Sequence, residues 1–442
     1  MASATSQLEK ALPPSEHDLS TDEGMLAYLN QHTPFSTSSV TRLSGGFANW
    51  TYRATLESPY KFVDGANQSR ALETIVVKFS SDVAAAFAGV ALDLYRTKAE
   101  IAALKLINGL NLPNFRGMGT TQKLPTSTTQ PAILLPELLS YDTTNHVGCY
   151  VDLGPLPSLK QYLIDHPGSD AVELAAKVGD LLGQFLAGLH LWGYQVSHTD
   201  PPILDIYRQS ESAKKICAWR TIEFVEGSAK EYNIDGNWEK ITDTLKREVL
   251  DSNDTFNMGD FWTGNILMEL DGPANPRSLK ALYVLDWELV KTGPASTDIA
   301  QFAAEAFMLH QYSGRTTSGS GTLDEPTDAS PAGEALLVSF LDGYERHVKK
   351  SSTDNMTSRS SGTSVVEPSY ERGKSIQDVL LDSRSVIGHL CAHVATIGKT
   401  VSWANRETTE RTVRRVLELM ITNDQSDTTS SLKDVLTALE VK

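Results

Sequence analysis

The chain has 442 residues, which is enough for two or three compact domains. Acidic residues outnumber basic ones by 55 to 39, and the resulting net charge of −16 argues against a nucleic-acid partner, which requires basic surfaces. The excess of acid would suit a cationic substrate, although solubility explains it better. The three cysteines are far apart and predict no disulfide framework. The chain has neither an apolar leader nor an apolar run of membrane-spanning length, so we expect a cytoplasmic protein.

The first structured region is predicted to carry a tight glycine turn. Residues 1–18 are polar and we expect them to be mobile. In residues 42–53, Gly45 and Gly46 lie between two apolar stretches, which predicts a strand, a turn and a returning strand. Glycines let backbone N–H groups approach a phosphate. An ordinary hairpin turn remains the alternative.

A lysine and a glutamate further along could hold a nucleotide. Residues 73–79 form a β-branched run that carries Lys78, and such a lysine can pair with the α- and β-phosphates of ATP. Residues 95–107 have helical spacing, and Glu100 on that helix is a candidate partner for Lys78. The alternatives are a solvent-facing lysine and a pair between Glu100 and Arg96 on the same helix.

Two more strands are predicted before the chain becomes helical. Residues 132–139 read as one strand, after a Ser/Thr-rich connection at 121–129, and residues 149–154 read as another. The second should form a hinge between two lobes, where backbone groups of residues such as Val151 and Leu153 would meet adenine. A plain linker is compatible with the same pattern.

Helical periodicity dominates the next hundred residues. Apolar residues from Leu174 to Leu189 repeat at helical spacing, and Gly193 is expected to end that helix. His190 is interpreted as a structural hydrogen-bonding residue. Between His198 and the next motif lie several aromatic residues, which could enclose an ammonium group but are better explained by core packing.

Two carboxylates and one amide follow at the spacing of a phosphoryl-transfer centre. Asp260 is followed five positions later by Asn265, and the strand predicted at 281–285 ends at Asp286. In kinases one aspartate accepts the proton of the attacking hydroxyl, while an asparagine and a second aspartate bind magnesium. An ordinary turn and a strand cap would explain either piece alone. Together with the upstream lysine, they favour phosphoryl transfer.

The last part of the chain is predicted to be helices separated by polar loops. Residues 313–322 and 351–364 are rich in Gly, Ser and Thr and are expected to be disordered, with a helix at 333–341 between them. His389 and His393 lie one helical turn apart, but their apolar neighbours favour a packed helix over a metal site.

These motifs resemble the aminoglycoside phosphotransferase family, which includes choline kinases and methylthioribose kinases and has a protein-kinase-like fold. The matching segments are 43–49, 76–78, 186–190, 259–267, 285–288 and 298–300. The resemblance implies Asp260 as the catalytic base and Asn265 and Asp286 as Mg²⁺ ligands. It also implies ATP binding by a second set of residues: Ser44, Gly45, Gly46, Asn49, Lys78, Glu100, Val151 and Leu153.

The resemblance predicts the overall organisation as well. We expect an α+β, two-lobe fold, with a small antiparallel-sheet N-lobe at 19–150 that binds nucleotide. A larger, mainly helical C-lobe at 151–442 would carry catalysis and the acceptor site, with flexible loops near 312–330 and 350–370. The expected function is ATP-dependent phosphorylation of a hydroxyl group on a small molecule.

One residue departs from the family pattern. The position two residues before the catalytic aspartate is usually histidine, and here it is Met258. Methionine can fill the space but cannot donate the hydrogen bond. A catalytically inactive, nucleotide-binding relative with a regulatory role is therefore the alternative function.

Overall fold

The computed structural model describes residues 9–43, 47–63, 69–86, 91–117, 131–166, 168–272, 278–311, 330–359, 375–400, 406–424 and 431–441. The chain forms two compact units. The first comprises Met1–Asn111, Arg116–Thr129 and Leu134–Leu156, and the second comprises Leu112–Phe115, Gln130–Ile133 and Pro157–Lys442.

Among its described residues, the first unit contains a six-stranded sheet and two helices. Its elements are β1 (Glu9–Lys10), α1 (Asp22–His32), β2 (Thr37–Arg42), β3 (Trp50–Val63), β4 (Ser69–Phe79), α2 (Tyr95–Asn108), β6 (Leu138–Asp142) and β7 (Val147–Val151). The strand order is β1-β6-β7-β4-β3-β2, and every neighbouring pair is antiparallel except β1 with β6. In β4, the side chains of Leu72, Ile75 and Val77 are buried with the core that also contains Tyr52.

The predicted hairpin in this unit is present. Strands β2 and β3 pair antiparallel up to Arg42 and Tyr52. The predicted glycine turn, with the candidate residues Ser44, Gly45 and Gly46, lies outside the described residues.

Residues 9–18, which we expected to be mobile, are tied to the sheet. Strand β1 pairs with β6, and the Asp142 carboxylate accepts a hydrogen bond from the backbone N–H of Leu12 at 3.2 Å. The side chain of Asn145 accepts another from Ser15 at 2.7 Å. The sequence did not indicate these contacts, because the side chains that hold this segment are polar and lie far along the chain, rather than being apolar and nearby.

The second unit is mainly helical. Its helices are α3 (Leu159–Asp165), α4 (Val172–Thr199), α5 (Asp205–Arg208), α6 (Glu211–Ile222), α7 (Val225–Glu231), α8 (Trp238–Asp251), α9 (Ser296–Gln311), α10 (Pro331–Arg359), α11 (Ile376–Leu380), α12 (Ser383–Thr400), α13 (Arg406–Asp424) and α14 (Lys433–Leu439). Its strands are β5 (Ala132–Leu134), which begins in this unit, β8 (Thr255–Asn257), β9 (Ile266–Leu270), β10 (Leu279–Val284) and β11 (Lys291–Gly293). They form a sheet in the order β5-β10-β9 and the antiparallel pair β8-β11. The predicted α+β class, with a small antiparallel unit and a larger helical one, is confirmed.

The close packing of α4 against α10 depends on glycine. A methyl group at Gly179 would lie 2.5 Å from the carbonyl oxygen of Leu336, and one at Gly183 would lie 2.2 Å from that of Phe340. Gly193 was expected to end α4, but the helix continues to Thr199. A methyl group at Gly193 would lie 2.4 Å from the backbone nitrogen of Phe256, so this glycine allows β8 to approach the helix.

Two other predicted boundaries differ. The single strand expected at 132–139 is two strands, β5 and β6, which belong to different sheets. Pro136 lies between them and cannot donate to a strand ladder. Helix α10 includes the predicted helix at 333–341 and continues to Arg359, so the loop expected from residue 351 does not begin there. Most of the two predicted disordered stretches, and the connection at 121–129, lie outside the described residues.

The described residues contain no helix that is both long enough and apolar enough to cross a membrane. Cys149, Cys217 and Cys391 are all buried and free, as their wide spacing predicted.

Gly183→Ala should destabilise the second unit. The added methyl group would collide with α10, and overpacking of this kind costs about 1–3 kcal/mol, which exceeds the small gain in helix propensity. Thermal unfolding of the purified variant measures this loss. Lys177→Ala, at an exposed position on the same helix, should change stability by less than about 0.5 kcal/mol. Equal stability of Gly183→Ala and wild type would contradict the role assigned to this glycine.

Candidate active site

A buried aspartate on α9 holds the loop that carries Asp260. Asp298 accepts a hydrogen bond from the backbone N–H of Met258 at 2.7 Å and another from that of Gly259 at 3.0 Å. Its side chain also lies 3.4 Å from Nε2 of His190, whose Nδ1 lies 2.8 Å from the hydroxyl of Tyr344. His190 is thus the structural hydrogen-bonding residue predicted from the sequence.

The Asp298 carboxylate stays ionised despite its burial. Burial alone would raise its pKa, but the hydrogen bond from His190 and the charge of Lys291 outweigh burial and hold the pKa of Asp298 below its usual value. An ionised carboxylate accepts stronger hydrogen bonds from backbone N–H groups than a neutral one. The loop at Met258 and Gly259 is therefore fixed by its backbone.

The turn after this anchor requires glycine. Gly259 has φ +81°, and a methyl group there would lie 2.1 Å from the carbonyl oxygen of Leu289. This conformation and this close approach place Asp260 directly beyond the two anchored N–H groups.

Asp260 is held by one oxygen of its carboxylate. Arg220 Nη1 donates to Oδ1 at 2.6 Å and Gln301 Nε2 donates to the same atom at 2.8 Å. Within the described part of the chain, no hydrogen bond reaches Oδ2. The side chain is 18% exposed, so a second molecule can still reach it. Burial disfavours the charge on Arg220, but the Asp260 carboxylate outweighs this effect and raises the pKa of Arg220 above its ordinary value.

The two candidate magnesium ligands lie at the same end of the β9–β10 hairpin. The amide nitrogen of Asn265 donates to the backbone oxygen of Asp260 at 3.1 Å, which leaves its Oδ1 as the atom that can bind a cation. The backbone N–H of Leu285 donates to the carbonyl of Asn265 at 2.9 Å, and Asp286 is the next residue. Asp286 has φ +58°, a left-handed conformation that aspartate tolerates better than most residues. The structure thus brings Asp260, Asn265 and Asp286 together.

The first unit contains the predicted lysine–glutamate pair. Lys78 Nζ on β4 lies 3.0 Å and 3.2 Å from the two carboxylate oxygens of Glu100 on α2. Both side chains are largely buried, with 11% and 5% of their surface exposed. The ion pair therefore joins β4 and α2, as the sequence predicted, and Glu100 does not depend on Arg96 of its own helix for a partner. The role of Lys78 in binding phosphate stays a prediction.

The remaining candidate nucleotide residues are also in the first unit. Asn49 is buried and its side-chain oxygen accepts a hydrogen bond from Arg96 at 3.1 Å. Val151 ends strand β7, and its N–H donates to the carbonyl of Glu137 at 2.9 Å. Leu153 follows Asp152, which forms an ion pair with Arg53 at 2.6 Å. Contact of any of these residues with a nucleotide stays a prediction.

Sequence reasoning missed Arg220 and Gln301, the two residues whose side chains donate to the Asp260 carboxylate. Neither Arg220 nor Gln301 was assigned a role from the sequence. Neither is near Asp260 in sequence, and neither belongs to a motif, so no local signal identified them.

The aromatic residues between His198 and Asp260 do not all pack in the core. Tyr207 is buried, as expected, but Trp219 is 49% exposed, so the expectation of core packing is wrong for this residue. The two histidines of α12 are buried and contact carboxylates: His389 lies 3.0 Å from Glu248 and His393 lies 3.4 Å from Glu305. This agrees with the packed helix predicted there.

Comparisons with known proteins show similarity to phosphotransferases. Residues 128–321 match the model of the phosphotransferase enzyme family, the family of the aminoglycoside phosphotransferases. This segment contains Asp260, Asn265, Asp286 and Asp298. The resemblance stated from the sequence motifs is confirmed.

Two sequence relatives and one solved structure that are similar to this chain are kinases of small molecules. The 4-hydroxytryptamine kinase of Psilocybe cubensis is 28% identical over 67% of this chain and 75% of its own length. That of Psilocybe cyanescens is 28% identical over 75% of this chain and 81% of its own. A solved glucosamine kinase with glucosamine, ADP and phosphate has a TM-score of 0.45 and 14% identity, covering 94% of this chain and 87% of that one. The family match and the two sequence relatives confirm the expectation of an enzyme that is a small-molecule kinase.

Gly259→Ala should disturb both stability and turnover. The substitution forces a side chain into positive φ and against Leu289, at a cost of about 2 kcal/mol or more. Gly272→Ala is the matched control, since Gly272 also has positive φ, +87°, but no atom of the described residues lies within 4 Å of the added methyl. Its cost should be only about 1–2 kcal/mol, from backbone conformation alone. Thermal unfolding compares the two variants. Equal losses would show that the contact with Leu289 carries no weight.

Proposed function

We propose that this chain transfers the γ-phosphoryl group of ATP to a hydroxyl of a small molecule, with Asp260 as the catalytic base. The observation that carries the proposal is the convergence of Asp260, Asn265 and Asp286 at one end of the β9–β10 hairpin, on a loop whose backbone is fixed by Asp298. Phosphoryl transfer depends on positioning and charge stabilisation, so a rigid set of these three groups is what the reaction needs.

In the proposed step, the acceptor hydroxyl lies against Oδ2 of Asp260. Its proton passes to that carboxylate oxygen as the hydroxyl oxygen forms a bond to the γ-phosphorus. The bond between the γ-phosphorus and the β–γ bridging oxygen breaks, and ADP leaves with that electron pair. Oδ1 stays bound to Arg220 and Gln301 throughout.

The proposed cofactors are ATP and Mg²⁺, and the residues fit them. Asn265 offers an amide oxygen and Asp286 a carboxylate, which are ligands that this hard cation prefers. Magnesium uses few protein ligands beside the phosphates of its nucleotide, so one amide and one carboxylate are sufficient. When bound, the ion would neutralise charge on the phosphates. Lys78, oriented by Glu100, would pair with the α- and β-phosphates.

The acceptor is proposed to be a small hydroxylated amine. The two Psilocybe relatives are named for 4-hydroxytryptamine, which makes a hydroxylated aromatic amine the first acceptor to test. A panel should add choline, amino sugars and phenols without an amine. A cytoplasmic location, where ATP is available, and the lack of a nucleic-acid partner remain predictions.

Asp260→Asn should abolish phosphorylation while leaving ATP binding intact. Loss of the base costs about 10²–10⁴-fold in kcat. Transfer of label from γ-labelled ATP to the panel measures turnover, and calorimetry measures ATP affinity. Asp243→Asn, at an exposed position on α8, should behave as wild type. An Asp260→Asn enzyme with undiminished turnover would rule out this base, whereas a wild-type protein that binds ATP and phosphorylates no acceptor would favour the regulatory alternative.

Asp286→Asn should weaken binding of the magnesium–nucleotide complex by roughly tenfold or more, equivalent to about 1.4 kcal/mol or more. It removes one negative charge from the ion's surroundings, and asparagine still tolerates the left-handed backbone. Calorimetry with and without Mg²⁺ separates this loss from a change in binding of the free nucleotide. Asp271→Asn, in the turn of the same hairpin, is the control. Identical MgATP affinity in wild type and Asp286→Asn would leave Asp286 with only a backbone role.

A further inference from the structure

Three side chains form a closed set of hydrogen bonds around the proposed base. Arg220 donates through Nη1 to Asp260 and through Nη2 to the carbonyl oxygens of Gly259 at 2.9 Å and the Gln301 side chain at 3.2 Å. Gln301 in turn donates to Asp260. The amide of Gln301 therefore accepts from the arginine and donates to the aspartate, so each contact fixes the orientation of the others.

Helix α6 is attached to the catalytic loop at a second point. The thiol of Cys217, one helical turn before Arg220, donates to the same Gly259 carbonyl at 3.3 Å. This thiol is buried, and burial raises the pKa of Cys217, which keeps it a neutral donor. The position of Arg220 is thus fixed by its own hydrogen bonds and by the contact of Cys217 on α6 with the same loop.

These contacts make the two oxygens of the Asp260 carboxylate different in their hydrogen bonding. Oδ1 of Asp260 receives two donors, while Oδ2 receives none from the described residues. Rotation of the carboxylate would break both charge-assisted contacts, so the unpaired oxygen keeps one direction. A planar guanidinium with donors in a fixed fork suits this task, since a lysine ammonium could reach only part of the set.

We propose that Arg220, assisted by Gln301, is a positioning residue that turns Oδ2 of Asp260 towards the acceptor hydroxyl. The inference rests on the proposed function of Asp260 and assigns a catalytic purpose to helix α6. Arg220 itself transfers no proton. It acts through the geometry of the base, and a misplacement of about 1 Å at such a site can cost roughly 10²-fold in rate.

The test compares Arg220→Ala, Arg220→Lys and Gln301→Met, with Lys215→Ala as the control. Lys215 is exposed on the same helix, so its removal takes away a cation without touching the site. For Arg220→Ala we expect kcat to fall about 10²-fold, with acceptor KM and MgATP affinity close to wild type. Arg220→Lys should lose less, and Gln301→Met should lose about tenfold because one donor to Oδ1 remains. Millimolar guanidinium should restore part of the turnover of Arg220→Ala and none of that of Asp260→Asn.

The opposing results are distinct. Wild-type kcat in Arg220→Ala and Gln301→Met would overturn the inference, and so would a change in acceptor KM alone, which would mean direct acceptor contact. If thermal unfolding shows that Arg220→Ala does not fold, the kcat of Gln301→Met decides the question. Methionine has nearly the volume of glutamine and is a good helix former, so this variant is expected to fold. If Asp260→Asn retains full turnover, the proposed function fails. If Asp260→Asn is inactive while both positioning variants turn over normally, only this inference fails.

Discussion

The carboxylate of Asp298 connects three parts of the second unit. It belongs to α9, it accepts hydrogen bonds from two consecutive backbone N–H groups of the loop before Asp260, and it contacts His190 of α4. Through His190 the contact extends to Tyr344 of α10. A buried carboxylate without these donors would be strongly destabilising. The loop and α4 are therefore held in the positions from which their groups can donate to Asp298. The position of the loop directly before Asp260 follows from this anchor.

Glycines let the anchored elements come close enough to build the site. Gly179 and Gly183 allow α10 to lie against α4, and Gly193 allows β8 to reach the same helix. The chain leaves β8 directly into the anchored pair Met258 and Gly259. At Gly259, positive φ and contact with Leu289 turn the chain so that Asp260 emerges beside Arg220 and Gln301. Backbone packing at these few positions thus sets the direction of a catalytic side chain.

Much of this arrangement could be predicted from the sequence because its signals are local. The run of β-branched residues predicted the strand that carries Lys78, and helical spacing predicted the helix that carries Glu100. Asp286 was found because it follows an apolar strand. Gly193 was misread, since a glycine that ends a helix and a glycine that lets a strand approach it look the same in sequence. Residues 9–18 were misread because Asp142 and Asn145, which hold them, are more than a hundred positions away.

The contacts of Asp260 show why the rest of the site could not be predicted. Arg220, Asp260 and Gln301 come from three different segments, and no periodicity relates them. Their meeting depends on α6 and α9 packing against the same loop, which is a property of the tertiary structure. The sequence shows that Arg220 and Gln301 are polar residues in helical segments, which is equally true of many exposed positions. Their hydrogen bonds to Asp260, seen in the structure, distinguish Arg220 and Gln301 from exposed polar residues.

Met258 takes on a different meaning once the loop is seen in place. The usual histidine at this position supports the loop through its side chain, so its replacement raised the possibility of an inactive relative. Here the Met258 side chain is fully buried, and a thioether has no donor that burial could leave unsatisfied. The support that orients the loop comes from the backbone N–H groups of Met258 and Gly259, which any residue at position 258 other than proline would supply. The departure from the family pattern therefore removes one side-chain hydrogen bond but leaves Asp260 held from both sides, by Asp298 through the backbone and by Arg220 and Gln301 through the carboxylate.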